Sequence, residues 1–533
     1  MVANLVLING SIHTLDPHQP RVSAIAVAGD RIVAAGADGE MRRLLASGGR
    51  VVDLGGRTVV PGLIDAHLHF LSYGLSLREI ELIGVPSLAV AVERVATRAA
   101  QTPAGNWLTG RGWDQVFWEG QRFPNRRDLD AVTMQHPVFL RRKCGHAGWA
   151  NSVALALAGI TSHTPAPAGG AIERDPATGE PTGILLERAM DLVGRLQPLP
   201  TQAEAVAAVR VAMQRAHRLG ITGVHNMEAA PALRAFQALR RSGELKLRVL
   251  QQIPEVDLDA AIQLGIESGL GDEWIRLGAV KIFADGSLGA RSALMVDPYE
   301  GEPDNTGIAV STAEHLRQQV ATAARAGLAV HIHAIGDQAN RNVLDAIEAT
   351  RQAGIGLHLR HRIEHAQVLH PADLPRFARL GVIASMQPIH CTQDIVLADA
   401  HWGARSRLAY AWSSLLASGA ALAFGSDAPV ETPDVMQGIY AAVTRRRADG
   451  YPGPAGWYGE ECVSVAEAVH AYTVGAAYAS GEEEIKGSLS PGKLADLAVL
   501  SEDIFAIEPA GILETQAVAT LIGGEFVYGG EAL

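Results

Sequence analysis

The sequence predicts an α/β fold: a (β/α)8 TIM barrel with a small β-sandwich domain built from both termini and a large insertion after the first barrel strand. Three observations predict it. Short apolar runs alternate with helical stretches through the middle of the chain, the two ends hold short strands parted by tight turns, and histidine pairs recur where apolar runs stop. Strand–helix alternation over such a length calls for a parallel sheet with crossover helices, and a closed barrel fits it better than an open sheet.

The elements follow in order. Residues 4–8 are apolar and end at Asn9-Gly10, a strong hairpin dipeptide. Runs 23–28, 31–35 and 51–54 end at Gly29-Asp30, Gly36 and Gly55-Gly56, so the start reads as an antiparallel β module. At the other end, run 497–500 precedes Ser501-Glu502-Asp503, and 517–522 turns at Gly523-Gly524 into 526–528. Neither end could bury much surface alone. The expected organisation is therefore a sandwich from 1–60 and 485–533 around a hydrolase barrel at 61–484. Within the barrel, runs 63–66, 249–253, 279–283, 328–332 and 382–386 read as strands, and 314–325, 339–353 and 465–478 as helices. No GxGxxG or GxxxxGK[ST] follows a strand, which takes support from the nucleotide-binding α/β folds. From about 71 to 215 the alternation is lost. That insertion holds the aromatic-rich 106–118, a strand-like 137–143 and a Pro/Gly-rich loop at 161–183. Insertions of this size commonly wall a barrel's catalytic face.

Composition removes several function classes. Of 533 residues, 48% are hydrophobic and 19% charged, a compact globular profile rather than a disordered one. Lys and Arg number 45 against 57 acids, a net charge of −12 with no basic run, which argues against nucleic acid or an anionic membrane as partner. Cys144, Cys391 and Cys462 lie too far apart for a disulfide framework or a CxxC metal site. Residues 1–9 carry no secretory pattern, and no stretch approaches 18 apolar residues. The expectation is a soluble cytoplasmic protein acting on a small molecule; assembly as a homodimer is compatible with this.

The chemistry concentrates at strand ends. His67 and His69 are two apart at the end of an apolar strand, so both imidazoles face one side at the catalytic rim. His331 and His333 close another run, His361 and His365 flank the next, and Asp427 closes a later one. The second member of each histidine pair lies nearer the rim. Lys281 sits within an otherwise apolar strand, where an unpaired ammonium is costly. It must be paired, with Asp285 or a neighbouring carboxylate, or be deprotonated or chemically modified. Such a nitrogen and oxygen set suits borderline-soft divalent metals. His225 also ends a strand and reads as structural. Cys391 lacks the Cys-His-Asn pattern of a thiol nucleophile and reads as a packed cysteine.

Several motifs in order carry a resemblance: Pro61-Gly-Leu-Ile-Asp-Ala-His-Leu-His69, Lys281-Ile-Phe-Ala-Asp-Gly-Ser287, His333-Ala-Ile-Gly-Asp337 and Arg362-Ile-Glu-His-Ala-Gln367. Met386-Gln-Pro388 with His390, Gly425-Ser-Asp-Ala-Pro-Val430 and Gly487-Ser-Leu-Ser-Pro-Gly-Lys-Leu-Ala-Asp496 complete them. The chain resembles, over nearly its whole length, the amidohydrolase superfamily, in its amidohydrolase-3 branch of YtcJ-like and N-substituted formamide deformylase-like proteins. The resemblance implies a centre of two divalent ions, most simply zinc, with His67 and His69 on the more buried ion and His333 and His365 on the second. It makes Lys281, as its carbamate, the bridging ligand, and Asp427 both a ligand and the proton shuttle. A metal-activated hydroxide would then cleave a non-peptide amide C–N bond in an N-acyl amine, an N-substituted formamide or a cyclic amide. His146, His390 and Trp113 are the expected substrate contacts. A deaminase, an esterase or phosphotriesterase on this fold, and a non-catalytic regulatory member are the competing readings.

Overall fold

The computed structural model describes residues 2–115, 118–142, 147–167, 170–531 and 533. The chain forms two compact units, one from residues up to Tyr73 together with Val209–Leu533, the other Gly74–Ala208.

The first unit is a (β/α)8 barrel joined to a two-sheet β domain. Eight parallel strands form the barrel: β1 Leu63–Leu68, β2 Ile221–Asn226, β3 Arg248–Pro254, β4 Ile275–Phe283, β5 Val330–Ala334, β6 Arg362–His365, β7 Ile383–Met386 and β8 Leu422–Phe424. They neighbour one another in sequence order. Helices cover the outer face, so the strands are largely buried and read as mainly apolar runs rather than strictly alternating ones. The ends of β1 and β8 are tied by Asp427 N–H donating to His67 O at 2.7 Å and His69 N–H to Ala428 O at 2.8 Å. Gly425 makes that approach feasible, because a Cβ there would lie 2.5 Å from His67 N. Asp65 locks the same seam: its two oxygens accept from Ser426 N–H at 3.0 Å and Ser426 Oγ–H at 2.5 Å.

The two termini share one sheet. Leu497–Leu500 lies between Thr58–Pro61 and Ala517–Ile522, antiparallel to both. A second sheet holds Arg31–Gly36, Ala24–Ala28, Ala3–Ile8 and Leu45–Asp53 in that order. Leu5, Leu7, Ile25 and Val27 of one sheet share a core with Val59, Leu497, Val499 and Leu521 of the other. The expected hairpin at Asn9-Gly10 does not form. Asn9 does take a left-handed φ of 55°, but the chain there crosses between sheets, and Ser11–His13 pairs with Thr58–Pro61. The module is also not wholly antiparallel, since Ala3–Ile8 pairs in parallel with Leu45–Asp53. The single helix expected at 465–478 is two, Val465–Ala471 and Val474–Ser480. Tyr472 O accepts from Ile64 N–H of β1 at 2.7 Å, and Thr473 leaves helical geometry at φ −131°.

Arg248 fastens the barrel to the β domain. Its guanidinium grips both oxygens of Asp496 at 2.8 and 2.9 Å and stacks on Trp274, 4.3 Å from the ring centre. Both charged groups are buried. Arg248→Ala strands the Asp496 carboxylate and is expected to destabilise the fold by about 3–5 kcal/mol. Denaturant unfolding measures it, and a loss under about 1 kcal/mol would contradict the role.

The second unit is built on a six-stranded mixed sheet: Gly170–Arg174, Pro181–Glu187, Ala147–Ala150, Val138–Arg142, Leu108–Trp113, Ile80–Glu81. Leu88–Gln101 is its longest complete helix, and Ser87 caps that helix through Val90 N–H. The stretch 161–183, expected as loop, contains an antiparallel hairpin of Gly170–Arg174 with Pro181–Glu187. Asp175 builds its turn by accepting from Ala177 and Thr178 N–H, and Gly179 supplies a φ of 72°.

Candidate metal centre

The barrel register brings the chemistry-bearing residues to one rim. Across β4, β5 and β6, Phe283 pairs with His333, His333 with Glu364 and Ala334 with His365. His67 lies near the end of β1, His69 just past it, and Asp427 follows β8. These side chains, with Lys281 and His390, line one cavity of about 330 Å³. Its apolar wall includes Phe283, Leu288, Ile335 and Val430. His365 and Asp427 hold left-handed backbone, φ 74° and 60°, a local strain of the kind that collects at functional sites.

Three of the imidazoles are oriented by one of their two nitrogens. His67 Nδ1–H donates to Glu364 Oε2 at 2.6 Å, His365 Nδ1–H to Gln387 Oε1 at 2.7 Å, and His333 Nε2–H to Gly286 O at 2.9 Å. The other nitrogen of each ring is left for a ligand role, the usual arrangement around a bound metal. Ring centres of His67 and His365 lie 4.8 Å apart, and those of His333 and His365 4.6 Å. One nitrogen each from His67 and His365 and one oxygen of Asp427 all fall within 4.8 Å of one another. Asp427 Oδ1 is 3.5 Å from His67 Nε2 and 3.4 Å from His69 Nε2, and its Oδ2 is 3.3 Å from His390 Nε2.

Electrostatics keeps His67, His333, His365 and Asp427 in their ligand forms. Burial pulls His67 and His333 down to about 4, helped in both by the Lys281 charge. Burial and the neighbouring rings of His333 and His67 hold His365 well below the ordinary histidine value. Against the upward push of burial, His390, His69 and His67 hold the Asp427 carboxyl well below its usual range. Burial lowers Lys281 to about 8, with Glu364 and Asp427 opposing. Lys281 Nζ and Asp427 Oδ1 are buried with no hydrogen-bond partner. Neutral imidazoles, an ionised carboxylate and a buried amine poised to lose its charge fit divalent metal ions.

Under the rim lies a charged layer whose partners lie far apart in the chain. Glu364 is held well below the carboxylate range, burial notwithstanding, by Arg362 and His67. Arg362 also donates to Ser385 Oγ, Ala66 O and His225 Nδ1. His225 thus accepts from an arginine below the rim. His331 Nδ1 lies 3.7 Å from Glu364 in the same layer, and His361 Nδ1 accepts from Val330 N–H.

Other expectations need correction. Asp285 is not the partner of Lys281: it accepts from Leu294, Ile335 and Gly336 N–H at 2.8–3.0 Å, a backbone cradle the sequence did not reveal. Trp113 is fully buried in the core of the second unit, and its indole N–H donates to Leu140 O at 2.9 Å, so it packs that core rather than presenting a face to a ligand. His146 lies outside the described residues. Cys391 is buried with its thiol pushed up to about 12 by burial, which suits packing and not nucleophilic attack. Glu364, Gln387 and Asp65 were missed as orienting groups. The adjacency of Glu364 to His365 was the one available signal. Among the described residues, no helix is long and apolar enough to cross a membrane.

Residues 50–528 match the model described as the amidohydrolase family. The sequence is 35% identical to the YtcJ protein of Bacillus subtilis strain 168 over 485 residues, 90% of each chain. It is 30% identical over 561 residues to the N-substituted formamide deformylase of Arthrobacter pascens, covering 98% of both. The crystal structure of a metal-dependent hydrolase from Pyrococcus horikoshii OT3 matches with a TM-score of 0.80 at 30% identity, over 95% of this chain and 99% of that one.

Proposed function

This chain belongs to the amidohydrolase family and is a metal-dependent hydrolase of carbon–nitrogen bonds other than peptide bonds, and we propose that it cleaves N-acyl amines, N-substituted formamides or cyclic amides. One observation carries the reading: the neutral imidazoles of His67, His333 and His365 share a single cavity with two buried polar atoms that lack a hydrogen-bond partner, Lys281 Nζ and Asp427 Oδ1. His67, His69 and Asp427 would hold one divalent ion, His333 and His365 a second, and Lys281 both, with zinc the first choice of metal. When bound, the ions polarise the scissile carbonyl and bring the acidity of water close to neutral pH. Lys281 would join them as a carbamate: its ammonium gives up one proton, the freed amine nitrogen bonds to the carbon of CO2, and a second proton leaves that nitrogen. That conversion exchanges a buried ammonium for an anionic ligand and is eased by the lowered basicity of the amine.

Asp427 would take the proton of the attacking water and return it to the departing nitrogen. His390, which faces Asp427 Oδ2, would hold that carboxylate so that Oδ1 addresses the reacting atoms. This gives His390 an orienting task in place of the direct substrate contact expected from sequence. Glu364 and Gln387 would keep His67 and His365 in fixed tautomers.

The test is a competition assay of the metal-loaded enzyme with N-benzylformamide, a dipeptide and an aryl phosphate triester. The formamide should turn over fastest. Faster hydrolysis of the dipeptide or the triester would contradict the amide reading and leave the metal assignment standing.

A further inference from the structure

We propose that Asp394 is a specificity-determining residue that binds a second nitrogen, an ammonium or other N–H donor, on the amine portion of the substrate; this rests on the amide reading of the same site. His390 and Asp394 lie on the helix Pro388–Trp402, four residues apart and therefore on one face. Both line the cavity that holds Asp427, Lys281 and the histidines. Asp394 is fixed there by Tyr410, a fully buried residue whose hydroxyl donates to Asp394 Oδ2 at 2.5 Å. Among the described residues, no hydrogen bond or ion pair to Asp394 Oδ1 is found, so this oxygen is free to accept from a ligand. A phenol orients a carboxylate without neutralising it. The imidazole one turn back has its Nε2 directed at Asp427. The cavity therefore carries, beside an apolar wall of Phe283, Leu288 and Val430, a positioned acceptor that the hydrolytic step does not use.

The direction of the reaction says which part of the substrate meets it. Asp427 delivers its proton to the departing nitrogen, so that nitrogen sits beside Asp427. His390 contacts Asp427 and lies one helical turn from Asp394 on the same cavity wall, so a substituent on the departing nitrogen that passes His390 is directed toward Asp394. A carboxylate favours a cationic or N–H donor and repels an anion. The favoured leaving group is accordingly a short aminoalkyl amine, and an acidic one is excluded.

The test uses the metal-loaded enzyme with two near-isosteric substrates, N-(4-aminobutyl)acetamide and N-pentylacetamide. The wild type should favour the first in kcat/KM by about 10-fold or more, the scale of one charged hydrogen bond. The ratio should fall toward one in Asp394→Asn and be partly kept in Asp394→Glu. Calorimetric binding of 1,4-diaminobutane against pentylamine should follow the same order in the same variants. If the amides are not cut but the diamine preference is present and lost in Asp394→Asn, the amide reading falls and the role of Asp394 stands. No preference in the wild type for either pair overturns the proposal, whether or not the variants fold. A preference that persists undiminished in Asp394→Asn also overturns it, because chelation of the metals by the second amine would then be its source.

Discussion

Lys281→Ala should lose one of the two metal ions and at least about 100-fold in turnover, since even groups that merely orient metal ligands are worth 10–100-fold. The lysine is buried to 4% exposure, its nitrogen has no hydrogen-bond partner, and Nζ lies 4.9 Å from the centre of the Phe283 ring. An ammonium in that position contributes no ion pair at contact distance to offset its desolvation. A carbamate that holds both ions would remove the difficulty, and truncation should then abolish that ligand. Short carboxylic acids, which present the same two oxygens, should restore part of the activity by occupying the space vacated. Lys281→Met separates this role from packing, because it keeps the stem and lacks the amine. It should retain the fold and lose the metal as alanine does. Two metals and full activity in either variant would remove Lys281 from the centre.

Asp427→Asn should lower kcat by about 10²–10⁴-fold, the range for a general acid–base group, and leave KM much less affected. Asparagine is a clean probe here. It tolerates the left-handed φ of 60° that this position requires, and it keeps a polar group toward His390. What it removes is the oxygen that can gain and give up a proton. A variant changed chiefly in KM would show that Asp427 binds substrate rather than moving protons.

The barrel was legible because its strands are buried on both faces and so appear as mainly apolar runs such as Val382 to Met386. The rim was legible because strand parity and the end of an apolar run together place His67 and His69. What lay beneath was not. Glu364 gains its meaning from His67, 297 residues away, and Arg362 from His225 and Ser385. Neither pairing leaves a local pattern. Asn9-Gly10 misled because the dipeptide specifies a backbone conformation and not which sheet the following strand joins. Trp113 misled because an aromatic cluster reads the same in a pocket wall as in a core, and the core of Gly74–Ala208 needs Trp113, Trp118 and Trp149 for itself. Asp394 carries no local sequence signal, and only the fold brings Tyr410 to one of its oxygens beside the cavity.

The central claim is that this rim is a two-metal hydrolytic centre, and metal analysis coupled to activity tests it most directly. The purified protein, saturated with zinc and freed of excess, should hold two ions per chain, lose amide hydrolysis when a chelator strips both, and recover it as two equivalents are restored. Undiminished hydrolysis by protein shown to contain no metal would contradict the account.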